Sequence, residues 1–145
     1  MRPVVAELLG LLDLRQTSPD RFCGDSVDLG WGAIFGGQVL AQALTAAART
    51  VPPERPAHSL HAYFLRAGDV RRPIDYRVEQ TRDGRSFHTR RVMALQDESA
   101  LFTLMASFQV TETGFEHADP MPEVPPPEAL HSRSEEHTSE LQSRL

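Results

Sequence analysis

The sequence predicts an α+β domain in which one antiparallel sheet wraps around a single buried helix, and three observations predict it. Residues 31–50, WGAIFGGQVLAQALTAAART, combine good helix formers with almost no charge, and from Gln38 to Arg49 they are apolar around most of the circumference. That is the pattern of a helix inside a domain rather than on its surface. Four later stretches, 58–68, 74–80, 87–95 and 101–110, read as extended, and the last places Phe102, Leu104, Ala106, Phe108 and Val110 on one face. Short turns join these stretches, so neighbouring strands are expected to run antiparallel.

In chain order, the first element is an amphipathic helix. Apolar residues at 4, 5, 8, 9 and 12 share a face, and Pro3 suits a first helical turn. Glu7 and Asp13 interrupt the apolar run, so it does not read as a secretory signal. RQTSPDR at 15–21 reads as a turn-rich linker, followed by an extended run at 21–29 that ends at Gly30. Gly36-Gly37 open the buried helix and Pro52-Pro53 stop it. HSLHAYFLRAG is an aromatic strand. IDYRVEQ alternates cleanly, RDGRS carries an Asp-Gly hairpin signal, and QDES turns the chain into the last strand. A sheet wrapped on a helix in this way is the hotdog arrangement, and one copy leaves a strand edge and apolar surface uncovered, which calls for a second.

The 145 residues are room for one domain of ordinary size. At 40% apolar and 24% charged, with no uninterrupted apolar run of roughly 20 residues, the chain is neither fibrous nor a membrane span. Residues 1–110 hold 13 Arg and 12 acids, whereas 111–145 hold 2 Arg and 8 acids, so the acidity lies in the tail. A nearly neutral body offers no basic face for nucleic acid. One cysteine, Cys23, precludes an internal disulfide, and no Cys/His spacing suits a metal. A reducing, cytoplasmic location follows by default, with Cys23 read as a packed thiol.

From 111 the chain loses periodicity, and TETGFEHADPMPEVPPPEAL has the composition of a Pro-rich linker. Residues 133–143, RSEEHTSELQS, match in order the translation of a widely used sequencing adapter. The expected organisation is a domain over 1–112, a linker over 113–132 and a tail over 133–145 that is foreign to the natural protein. The closing Ser143-Arg144-Leu145, similar to a peroxisomal address, falls in that tail and carries no weight.

Catalytic signatures are sparse. No G-x-S-x-G elbow, phosphate loop or H-E-x-x-H is present. Phe35-Gly36-Gly37-Gln38 places glycines at a helix N-terminus, where backbone amides can hold an oxygen that becomes negative when a thioester is attacked. The same glycines suit the tight start of a buried helix. Gln38 and Gln42 lie four apart on one face, and an amide can orient water but not take its proton. His58, His61 and His88 are isolated strand histidines, more often packed or surface-facing than catalytic.

FGGQVLAQAL at 35–44, HSLHAYFLRAGD at 58–69, RDGRSFHTRRV at 82–92, MASFQ at 105–109 and GFEH at 114–117 together resemble the N-terminal half of TesB-type acyl-CoA thioesterases, the acyl-CoA thioesterase II family. The resemblance spans about residues 4–130. It implies a double hotdog of which this chain is the first half, and hydrolysis of fatty acyl-CoA to free fatty acid and CoA without metal or cofactor. It places the water-activating Asp and its Thr or Ser and Gln partners in the missing second hotdog, so no catalytic residue is assigned here. Gln109 occupies a place similar to that Gln in its own hotdog and is expected to be structural or vestigial. Gly36, Gly37, Gln38 and His58 are the expected substrate-groove residues. The expected partners are acyl-CoA, the second hotdog and, for the parent protein, further copies in a homo-oligomer. The alternative is a non-catalytic acyl-binding or dimerisation hotdog. A hotdog dehydratase would need an acid or His on the central helix, which has neither.

Overall fold

The computed structural model describes residues 3–30 and 32–130, which divide after Glu112 into two units. In the first unit, helix α1 (Pro3–Leu12) precedes strands β1 (Arg15–Ser18) and β2 (Arg21–Gly24), then helix α2 (Gly36–Ala48) and strands β3 (Ala57–Phe64), β4 (Ile74–Asp83), β5 (Phe87–Gln96) and β6 (Ser99–Gln109). The six strands form one antiparallel sheet in the order β1-β2-β4-β5-β6-β3, and α2 packs against its concave face. This is the α+β hotdog arrangement that the periodicities predict. No described helix is long and apolar enough to cross a membrane.

The core follows from the two periods. Ala43, Ala46 and Ala47 are fully buried on α2, and their small side chains let the sheet approach closely. Tyr76 and Val78 of β4, Val92 and Ala94 of β5, and Phe102, Leu104, Ala106 and Phe108 of β6 point at them from alternate positions. The one buried cation among the described residues, Arg90, is 1% exposed and joins the end of α2 to the β4–β5 hairpin. Its guanidinium donates to Thr50 Oγ1 at 2.9 Å and Thr50 O at 3.0 Å, and pairs with Asp83 at 2.7 Å. A cation on the carbonyls that follow a helix also complements its dipole.

Two expectations are corrected here. RQTSPDR is a hairpin rather than a linker: β1 pairs with β2 through Arg15↔Cys23 and Gln16↔Phe22, and Ser18 Oγ donates to Asp20 Oδ1 at 2.7 Å across the turn. The extended run that follows stops at Gly24 instead of continuing to 29, because its pairing with β4 ends at Gly24↔Ile74. The predicted first helix does dock, on α2, but Leu8 and Leu9 remain half exposed.

The second unit is described over 113–130, where the chain has no strand or α-helix and forms one short 3-10 turn at Pro127–Ala129. The expected foreign tail at 133–145, and the last two residues of the expected linker, lie outside the described residues.

Candidate functional site

The site is a cavity of about 370 Å³ between the first turn of α2 and the end of β3. Val39 and Phe102 form its floor, Ile34 and Phe64 its sides, and Leu101 and Gly68 its far wall, with Arg66 at the rim. A β-bulge creates that far wall. Ala94 pairs with Phe102 and Leu95 with Ala100, so Leu101 falls out of register. Its carbonyl is therefore free to accept from the amides of Leu65 at 2.8 Å and Arg66 at 3.1 Å, which fastens the chain leaving β3.

The loop after β3 is then clasped from beneath. Gln96, buried at the end of β5, accepts from the Asp69 amide at 2.9 Å and donates to the carbonyls of Asp69 at 2.9 Å and Arg72 at 3.0 Å. Arg71 pairs with Asp69 through both carboxylate oxygens, at 3.0 and 2.9 Å, and these hydrogen bonds hold the Asp69 carboxyl down at about 2. A Cβ on Gly68 would lie 2.6 Å from Ile34 Cδ1 and 2.9 Å from Leu101 Cδ1, so those two side-chain ends would have to shift to admit one.

Helix α2 begins at Gly36 with Phe35 as an extended N-cap that supplies no side-chain hydrogen bond. Its first amides, as in any helix, lack an i−4 partner and present a partial positive charge. The cavity lining holds neither carboxylate nor imidazole, so it can bind and polarise a carbonyl but has no group to take a proton from water.

Of the four predicted groove residues, Gly36 lines the cavity, whereas Gly37, Gln38 and His58 are not among its lining residues. Gln38 is buried and turned toward the chain leaving β2, where its Nε2 donates to Asp25 O at 3.0 Å and its Oε1 accepts from Val27 N at 3.4 Å. Gln42 works beside it, donating to Asp25 O at 2.9 Å and Leu11 O at 2.7 Å while accepting from Tyr76 Oη at 2.6 Å. The amide pair thus ties α1, β2 and β4 to α2. Burial raises the Tyr76 phenol well above its ordinary value, so it acts as a neutral donor.

His58 lies in a bulge of β3 and bonds Ser107 Oγ at 2.8 Å, its ring 5.7 Å from Phe87. Gln109 donates to Glu112 at 3.0 Å. His61 stands edge-on to Tyr63 at 4.7 Å and His88 beside Asp83 at 3.0 Å. The buried Cys23 thiol receives a hydrogen bond from Arg15 at 3.3 Å, and burial pushes its pKa up. Among the described residues no group of three or more His, Cys, Asp or Glu could hold a metal ion. Sequence reasoning missed Phe64, Arg66, Gly68 and Leu101 as site residues. The Arg-Ala-Gly-Asp turn after an aromatic strand was the available signal.

Residues 27–109 match the family described as acyl-CoA thioesterase N-terminal domain. The chain is 47% identical over 128 residues to acyl-CoA thioesterase 2 of Haemophilus influenzae, covering 88% of this chain and 45% of that protein. Among solved structures, the tesB protein of Mycobacterium avium subs paratuberculosis superposes with a TM-score of 0.79 at 41% identity, covering 86% of this chain and 49% of that one. A hot dog fold protein of unknown function from Alicyclobacillus acidocaldarius gives 0.70 at 26% identity, covering 84% and 47%. The chain therefore spans about half the length of each of these three proteins. On this agreement of sequence and of fold, the chain belongs to the acyl-CoA thioesterase family, in which it corresponds to the N-terminal domain.

Proposed function

We propose that this chain is the N-terminal half of an acyl-CoA thioesterase, and that its cavity receives the acyl part of a fatty acyl-CoA whose thioester water cleaves to a free fatty acid and the CoA thiol. The observation that carries the reading is an apolar cavity opening on the uncapped first turn of α2. The apolar lining suits a hydrocarbon chain, and the first-turn amides suit an oxygen that gains negative charge during attack. The proton-accepting group comes from a second hotdog domain, because the lining offers none.

Strand β3 supports the same partner. Among the described residues it hydrogen-bonds only β6, and Leu60, Tyr63 and Phe64 on it are exposed. An eight-residue apolar edge without lysine or internal proline is a template for another strand. Pairing of the second hotdog along β3 would cover it, with further copies of the whole protein forming a homo-oligomer in the cytoplasm. A non-catalytic acyl-binding module is the second reading, favoured by the lack of an acid or base in the lining.

The test is thiol release from a series of acyl-CoA substrates by the 145-residue chain, together with the gene sequence across codon 132. We expect binding without turnover and an open reading frame that continues into a second hotdog. Turnover of roughly 1 per second or faster by this chain alone would refute the claim that the proton acceptor lies elsewhere.

A further inference from the structure

Resting on the reading that the cavity takes the acyl chain, we infer that Phe64 is its specificity-determining residue, the one side chain that sets how much chain the cavity accepts. The two sides of the cavity differ in how they are held. On one side the loop carrying Gly68 is fixed by hydrogen bonds of its backbone with the Gln96 side chain and the Leu101 carbonyl. Moving that wall means breaking those hydrogen bonds.

The other side is a single ring. Phe64 is the last residue of an edge strand, and it is 59% exposed although it lines the cavity. Its ring tilts against Phe102 with centroids 5.0 Å apart and planes at 58°. It also lies against the start of α2, where a Cβ on Gly36 would come within 2.9 Å of Phe64 Cε1. The missing side chain at Gly36 is what lets the ring sit there, so the two residues set the opening together. Arg66, two residues on, lies exposed at the rim and takes part in no ion pair among the described residues. A cation beside an apolar cavity complements a ligand with a hydrocarbon tail and an anionic head, which describes an acyl-CoA.

The experiment measures binding of S-alkyl-CoA thioethers, which cannot be hydrolysed, with alkyl chains from butyl to hexadecyl, to the 145-residue chain and to Phe64→Ala, Phe64→Leu and Gly36→Ala. Each buried methylene contributes about fourfold to affinity. Removing the ring in Phe64→Ala should therefore let two further methylenes bind, raising the affinity ratio of long to short chains by about fifteenfold, with Phe64→Leu between. Gly36→Ala, whose Cβ would come within 2.9 Å of the Phe64 ring and displace it, should also change that ratio. Phe64 is largely exposed, so its variants should fold, and circular dichroism checks this. If wild type binds the series but Phe64→Ala and Phe64→Leu keep its length profile, the inference fails and the proposed function stands. If the folded chain binds no thioether at any length, both fail.

Discussion

Replacing Tyr76 with Phe deletes one hydroxyl from the centre of the domain and isolates the network that ties α1 and β2 to the central helix. Tyr76 and Gln42 are both fully buried, and the hydroxyl lies 2.6 Å from Gln42 Oε1. The amide nitrogen stays committed to Leu11 O and Asp25 O, so the side chain cannot turn to recover a partner for its oxygen. A buried acceptor left alone costs about 1–3 kcal/mol. At roughly 4–8 °C per kcal/mol for a domain of this size, Tm should fall by about 4–24 °C. Gln42→Leu should cost more, about 2–4 kcal/mol, because it strands Leu11 O and the Tyr76 hydroxyl together. In the Tyr76→Phe/Gln42→Leu double variant the second change adds little, giving a coupling of about 1 kcal/mol or more. Urea titrations followed by far-ultraviolet circular dichroism at pH 7 measure all three. Costs that add to within about 0.3 kcal/mol, or a Tyr76→Phe midpoint equal to wild type, would refute the closed-network argument.

Three further predictions concern other parts of the domain. Asp97 and Glu98, at the β5–β6 turn, have φ of 46° and 63°, a region that favours Asn and Gly, and their ion pairs with Arg72 and Arg77 are largely exposed. Asp97→Asn/Glu98→Gly should raise the urea midpoint, with a net gain of about 0.5–1 kcal/mol after the loss of the surface pairs. The Asp69 carboxyl is lowered from 3.8 to about 2 by its Arg71 hydrogen bonds, so its stabilisation is present above about pH 4 and is lost as pH falls toward 2. Acid titration should show wild type losing more stability across that window than Asp69→Asn, and equal slopes would show that the pair contributes nothing. Cys23, buried and raised in pKa, should react with iodoacetamide at pH 8 at least about tenfold more slowly in the native chain than in the unfolded one.

The parts of the fold that were legible in the sequence are those in which one period persists. Helix α2 and strands β4 to β6 each bury one repeating face, and that repetition is visible without partners. Strand β1 was not legible, because Arg15, Gln16, Thr17 and Ser18 have no apolar alternation and become a strand only through β2. The site was half legible for a related reason. Glycines at a helix start can be read locally, and Gly36 does line the cavity. The rest depends on irregularities. One bulge frees the Leu101 carbonyl that builds the far wall, and another, at 57–59, goes with a His58 bonded to Ser107 instead of lining the cavity. Gln38 and Gln42 were read as a possible water-orienting pair on one face. Their shared partner, the Asp25 carbonyl, is more than ten residues away and invisible to a local pattern.

The position of β6 has a consequence for how the chain is made. Among the described residues β6 is the last strand in sequence, yet in the sheet it lies between β5 and β3 and is the sole hydrogen-bonding neighbour of β3. On the ribosome, β3 therefore emerges with no strand to receive it until about 45 further residues, through Gln109, have been added. At ~5–20 residues per second that interval is ~2–9 s. Throughout it the aromatic segment HSLHAYFL is exposed in the nascent chain, and no fragment ending before β6 can shelter it.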